Sequence, residues 1–118
     1  MFVTYLVVTL LASALNGSAA MANLIGHEYP KSEADRNRVP RSWVRPLGVL
    51  LGAGALGLLA GIVVPVLGVL AAAGLVLYFL SALGVHVRAG NFRLGAWALF
   101  FVVALAALIV NLAYHPNA

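Results

Sequence analysis

From Pro46 to Val87 the chain contains no Asp, Glu, Lys or Arg, and the same is true from Met1 to Gly26 and from Leu94 to Ala118. Stretches this long and this apolar exceed what a soluble core of 118 residues can hide, whereas a bilayer accepts them at about 20 residues per helical crossing. The middle stretch is long enough for two crossings turned at Pro65, which gives four spans. All ten charged side chains fall in the two remaining segments, 27–45 and 88–93. With 64% hydrophobic and 8% charged residues, the expected fold class is an all-α integral membrane four-helix bundle. Its spans are read at about 2–24, 46–64, 66–87 and 94–114, in one domain covering 1–118 with a charged cytoplasmic loop at 27–45.

The second span, LGVLLGAGALGLLAGIVV from Leu47 to Val64, is punctuated only by glycine and alanine. Each glycine would cost a soluble helix about 1 kcal/mol, but in lipid it lets a neighbouring backbone come close. Gly48 and Gly52 form one small-xxx-small pair, and Gly57 and Gly61 form a second, which Ala53 extends by a turn. At about 100° per residue the pairs lie on opposite faces, so this span is expected to pack on both sides and to sit centrally.

In the first span, Tyr5, Thr9, Ser13, Asn16 and Asn23 share an arc of about 80°, a polar face that hydrogen-bonds across helices or lines a cavity. The small residues at 17–22 resemble a signal-peptide cleavage site, but no basic segment precedes the apolar run, so a membrane span is the better reading. In the loop 27–45, Ser32 and Asp35 form a weak capping box, which predicts a short surface helix from Glu33 to Arg38 ended by Val39-Pro40. Four spans put all seven cationic residues on one side. The positive-inside rule then makes that side cytoplasmic, with Pro65 and both termini outside, in a bacterial inner membrane. Trp43 and Trp97 would mark the cytoplasmic interface, and Tyr5 and Tyr114 the outer one.

The absence of cysteine excludes disulfides and thiolate-held metals within this chain. The basic balance reflects membrane orientation rather than nucleic-acid binding, since no recognition motif accompanies it. Glu28, Glu33 and Asp35 lie among arginines without acid/base or metal spacing, so no metal site and no autonomous catalytic constellation is expected. His27 and His86 share a side, but His27 lies in the loop and His86 at the polar end of the third span, away from the apolar interior, which argues against a haem pair.

Read together, Val39-Pro40-Arg41-Ser42-Trp43, Pro46-Leu47-Gly48, Ala55 to Gly61, Pro65-Val66-Leu67-Gly68, Ala71 to Phe79, and then Ala82, His86 and Arg88 resemble the DoxX-like family of small bacterial membrane proteins. The resemblance implies a four-helix membrane bundle and, through the origin of the family name, an association with thiosulfate and quinone oxidoreduction. Many members carry a charged residue shortly after a small-residue pair in the first helix. Here Asn16-Gly17 is followed by Ala20, Met21 and Ala22, a departure from that pattern.

Matching depths along antiparallel spans puts Asn16, Tyr78 and Ser81 near one level, with Asn23 and His86 near the cytoplasmic surface. A ligand site formed by Asn16, Tyr78, Ser81 and His86 would hydrogen-bond a quinone carbonyl or a lipid headgroup between aliphatic walls. His86 alternatively caps the end of its helix. Two functional expectations follow. One is a non-catalytic accessory or anchoring subunit that serves a membrane or cytoplasmic redox protein, with quinone as the associated cofactor. The other is a carrier or small transporter for a hydrophobic, lipid-like molecule. The partners foreseen are the lipid bilayer, such a redox protein and a second copy of the chain.

Overall fold

The computed structural model describes residues 2–90 and 94–115, apart from the side chain of Tyr29. The parts of the expected second loop and C-terminal tail at 91–93 and 116–118, with the loop cation Arg93, lie outside the described residues. Five α-helices occur in the order α1 (Phe2–Leu24), α2 (Glu28–Arg36), α3 (Val44–Ala60), α4 (Pro65–Arg88) and α5 (Gly95–Tyr114), with a 3-10 turn at Arg41–Trp43 leading into α3. No strand occurs among the described residues. Among the described residues four helices are long and apolar enough to cross a membrane, and α2 is the short exception.

The long helices form a closed ring in which α1 packs on α3 and α5, and α4 packs on α3 and α5. The diagonal pairs, α1 with α4 and α3 with α5, make no close backbone approach. The expectation of a central α3 is therefore corrected: α3 occupies a corner. Its glycines still face two ways. A Cβ at Gly48 would stand 2.7 Å from Asn23 Cβ of α1, and one at Gly57 would stand 2.7 Å from Ala71 Cβ of α4. Gly52 faces Ala20 of α1, while Gly61 lies directly over the backbone of Gly68. Ala53 is exposed and extends neither contact.

Boundaries differ from the expected ones for local reasons. Pro46 falls in the first turn of α3, where its missing N–H is no loss, so α3 starts at Val44 rather than 46. The helix ends at Ala60, and the turn 61–64 precedes Pro65, which begins α4 instead of forming the bend. Val64, held in extended geometry (φ −119°, ψ 92°) before that proline, separates the two helices. The surface helix runs over Glu28–Arg36 rather than 33–38. It stops because Arg38 turns left-handed (φ 56°), with its N–H on Asp35 O at 3.2 Å and that of Val39 on Ala34 O at 2.8 Å. Gly26 (φ 75°) closes α1 in the same way, and His27 N–H reaches back to Ala22 O at 3.0 Å.

The core is made of Ala12 and Ala20 from α1, Leu51 and Leu58 from α3, Ala72, Leu75 and Phe79 from α4, and Val103, Ala104 and Ala107 from α5. Alanine at so many of these positions draws the helices together, since packing rather than water exclusion drives association in lipid. Near the charged loops, Trp97 Nε1–H donates to Phe79 O at 2.6 Å and joins α5 to α4. At the opposite end Tyr5 is only 1% exposed. It stacks on Tyr114 (centroids 4.7 Å apart, planes 10° apart) rather than serving as an interfacial belt residue.

Candidate functional site

The polar arc of α1 points into the bundle. Tyr5, Thr9, Ser13 and Asn16 are buried together with Ala12 and Ala20, and α5 adds Asn111 at 0% exposure. Ser13 Oγ–H donates to Ala55 O of α3 at 3.3 Å, a hydrogen bond between helices. Asn16 and Asn111 each turn their amide N–H₂ back to the carbonyl one turn earlier, to Ala12 O at 2.9 Å and Ala107 O at 2.7 Å. Their carboxamide oxygens then have no donor, and the Tyr5 and Thr9 hydroxyls, one turn apart, form no well-shaped hydrogen bond although they are neighbours. His115 Nε2 is also buried with no hydrogen-bond partner among the described residues, beside the edge-on ring of Tyr5 at 4.9 Å. These unpaired polar atoms come from the inward faces of α1 and α5 and the residue that follows α5, and each ordinarily costs free energy unless a donor or a water meets it.

The four residues expected to form one ligand site are distributed differently. Asn16 is fully buried on α1. Ser81 is exposed, with its hydroxyl on Leu77 O at 2.9 Å, and Tyr78 is half-buried with its ring edge-on to Phe79 at 5.1 Å. His86, at the end of α4, places Nδ1 2.8 Å from Ala82 O and Nε2 3.5 Å from Asn37 Nδ2 of the short segment after α2. Those contacts are both satisfied by a neutral ring with the proton on Nδ1, which donates to Ala82 O while Nε2 accepts from the Asn37 amide. Arg88 adds bonds to Asn37 O at 3.5 Å and Arg38 O at 3.4 Å, so the end of α4 holds the charged loop in place. Among the described residues no hydrogen bond joins any two of Asn16, Tyr78, Ser81 and His86. Asn16 and the other three belong to diagonal helices.

Two features escape the sequence reading. Asn111 interrupts the apolar run of α5 with an amide that lies against Gly68, where a Cβ would stand 2.5 Å from its oxygen. A single amide in an otherwise uniform span was the available signal. The second is a recess of about 470 Å³ at the charged-loop end, lined by Asn23, Gly26, Lys31, Arg41, Ser42, Val44 and Arg45. Its components come from three segments, and no spacing in the sequence brings them together.

Long apolar helices in a closed ring, with the charged loops at one end, define a small multi-pass helical membrane protein. Its sequence matches the model of the DoxX-like family over residues 7–112, and the chain belongs to that family. Comparison with curated proteins and with solved structures finds no significant match.

Proposed function

We propose that this chain is a non-catalytic accessory or anchoring subunit that helps a membrane assembly carry out a quinone-linked redox process. The observation that carries the anchoring role is the outward face of α4. Cβ atoms at Gly74 and Gly84 would meet nothing within 4 Å, and Ser81 between them is exposed with its hydroxyl folded onto its own helix. The glycines of α3 are already filled by α1 and α4, so this second small face is free to accept the backbone of a partner's helix. The quinone link rests on the family resemblance. Tyr78 and Ser81, one and two turns beyond Gly74, are the side chains that a ring bound at this face would meet, while Asn16 and His86 serve packing and loop attachment. We orient the chain with 27–45 in the cytoplasm of a bacterial cell and the termini outside, on the strength of the cation distribution.

The second reading, a carrier for a lipid-like molecule, is favoured by the unpaired interior atoms of Tyr5, Thr9, Asn16 and Asn111, which a polar cargo group would satisfy.

Native mass spectrometry of the protein extracted gently from its own membrane separates the two readings. A subunit co-purifies with a stoichiometric partner chain, and the Gly74→Ile/Gly84→Ile variant loses that partner while its thermal unfolding changes by less than about 1 kcal/mol. An undiminished complex in the variant, or a wild-type chain that travels alone, removes the anchoring role. Retained quinone that disappears in Tyr78→Phe or Ser81→Ala supports the redox link. A retained lipid-like molecule lost on Asn16→Ala favours the carrier.

A further inference from the structure

The recess at the charged-loop end carries an electrostatic arrangement that the fold itself does not require. Arg41 is neutralised: its guanidinium donates from Nε to Asp35 Oδ1 at 3.1 Å and from Nη2 to Oδ2 at 2.7 Å. Arg36, which does not line the recess, pairs with Glu33 at 3.1 Å. Lys31 and Arg45, by contrast, line the recess and pair with no carboxylate among the described residues. Lys31 Nζ lies over Gly26, 3.5 Å from where a Cβ would stand. Arg45 occupies the first turn of α3, which has no acidic residue and no side-chain cap. The positive end of a helix dipole is a poor place for a cation unless an anion sits beside it. Asn23 and Ser42 add neutral hydrogen-bonding groups to the same wall.

We propose that this recess binds the phosphate of an anionic phospholipid headgroup. Lys31 and Arg45 supply the charge, and Ser42 and Asn23 donate to the remaining oxygens. The choice of a lipid over a free phosphate ion follows from the rim. Leu24 and Ile25, 39% and 68% exposed, lie in sequence between the wall residues Asn23 and Gly26, and Trp43, 55% exposed, lies between Ser42 and Val44. Acyl chains leaving the recess therefore meet apolar side chains at the depth where indole rings settle. The assignment is independent of the accessory role and stands or fails separately from it.

The test titrates the purified full chain in detergent with phosphatidylglycerol or with phosphatidylcholine and counts retained lipids by native mass spectrometry. Each uncompensated cation near a bilayer surface is worth about fivefold, so phosphatidylglycerol is expected to be retained ~30-fold more tightly. Lys31→Gln/Arg45→Gln abolishes the preference. Arg36→Gln/Arg38→Gln removes the same charge outside the recess and preserves it. Equal retention of the two lipids by the wild type overturns the proposal, as does an equal loss in both double variants, which would mark generic charge attraction. Displacement of bound phosphatidylglycerol by millimolar inorganic phosphate overturns the assignment to a lipid. If Lys31→Gln/Arg45→Gln fails to fold by circular dichroism, the wild-type lipid ratio and the phosphate competition decide the matter alone.

Discussion

Thr9, Ser13 and Asn16 show how differently polar side chains behave in the same bundle interior. The sequence displays the arc that contains Thr9 and Asn16, because helical periodicity puts Tyr5, Thr9, Ser13 and Asn16 on one face and bilayer energetics turns that face inward. It does not display which atoms find partners, since that depends on where α3 and α5 bring their carbonyls. Ser13 meets Ala55 O, whereas Thr9 Oγ1 one turn away has only the poorly aligned Tyr5 hydroxyl beside it. Thr9→Val keeps the shape and deletes that unpaired hydroxyl. It is expected to leave unfolding free energy in detergent unchanged or to raise it by up to about 1 kcal/mol. A loss of more than about 1 kcal/mol would mean that the hydroxyl is already held, by the neighbouring Tyr5 hydroxyl or by an internal water. At His86 the expectation concerns a proton: nitrogen chemical shifts should report the Nδ1–H tautomer, and Asn37→Ala should disturb Nε2 without moving Nδ1.

Among the elements, α3 and α4 make the role of their glycines measurable by one substitution applied twice. Gly61 has ordinary helical angles (φ −63°, ψ −18°), so alanine there is resisted by crowding, chiefly from the backbone of Gly68, whose nitrogen lies 2.6 Å from the new Cβ, with Leu58 O at 3.3 Å. Gly61→Ala is expected to cost about 1–3 kcal/mol. Gly74→Ala, made where nothing lies within 4 Å, should gain up to about 1 kcal/mol of helix propensity. Thermal unfolding of the two variants with the same sign would contradict this packing. For α2, the bonds from Arg41 hold the Asp35 carboxyl below the usual carboxylate range. A depressed acid contributes stability above its unfolded pKa and loses it as pH falls through the folded one. The Asp35–Arg41 contact should therefore persist at neutral pH and weaken from about pH 4 downward. A fall in amide protection, measured against the intrinsic exchange rate at each pH, is the expected signature at Asn37 to Val39 in acid, and it should be absent in Asp35→Asn. Sequence signals located these helices to within a few residues. The misplaced ends trace to Arg45, whose charge set the expected start of the second span although α3 includes it, to Pro65, read as a break although it stands in a first turn, and to Arg38, whose left-handed angle no residue type announced.

For the molecule as a whole, the number of crossings was legible because uncompensated charge is expensive in hydrocarbon, and every Lys, Arg, Asp and Glu lies outside the four apolar stretches. The ring order was not. That α1 and α4 lie across a diagonal depends on rotational fit between nearly uniform Ala, Leu and Val surfaces, which a narrow alphabet does not encode position by position. This also separated Asn16 from Tyr78 and Ser81 and brought Lys31 and Arg45 together. The orientation proposed for the bundle is tested by reporter fusions. A reporter active only outside the cytoplasm should work after Ala118 and stay silent in the 27–45 loop, and the reverse pattern would invert the molecule. One feature of the opposite end then acquires meaning. The turn at 61–64 presents Ile62, Val63 and Val64 at 37%, 83% and 44% exposure, with no charged residue beside them. In the proposed orientation the charged loops moor one end of the bundle, while the tip of the α3–α4 hairpin bears no charge that would hold it at a headgroup. In a thickening bilayer that tip follows the mooring inward instead of stretching to its own surface, and the leaflet above it bears the dimple.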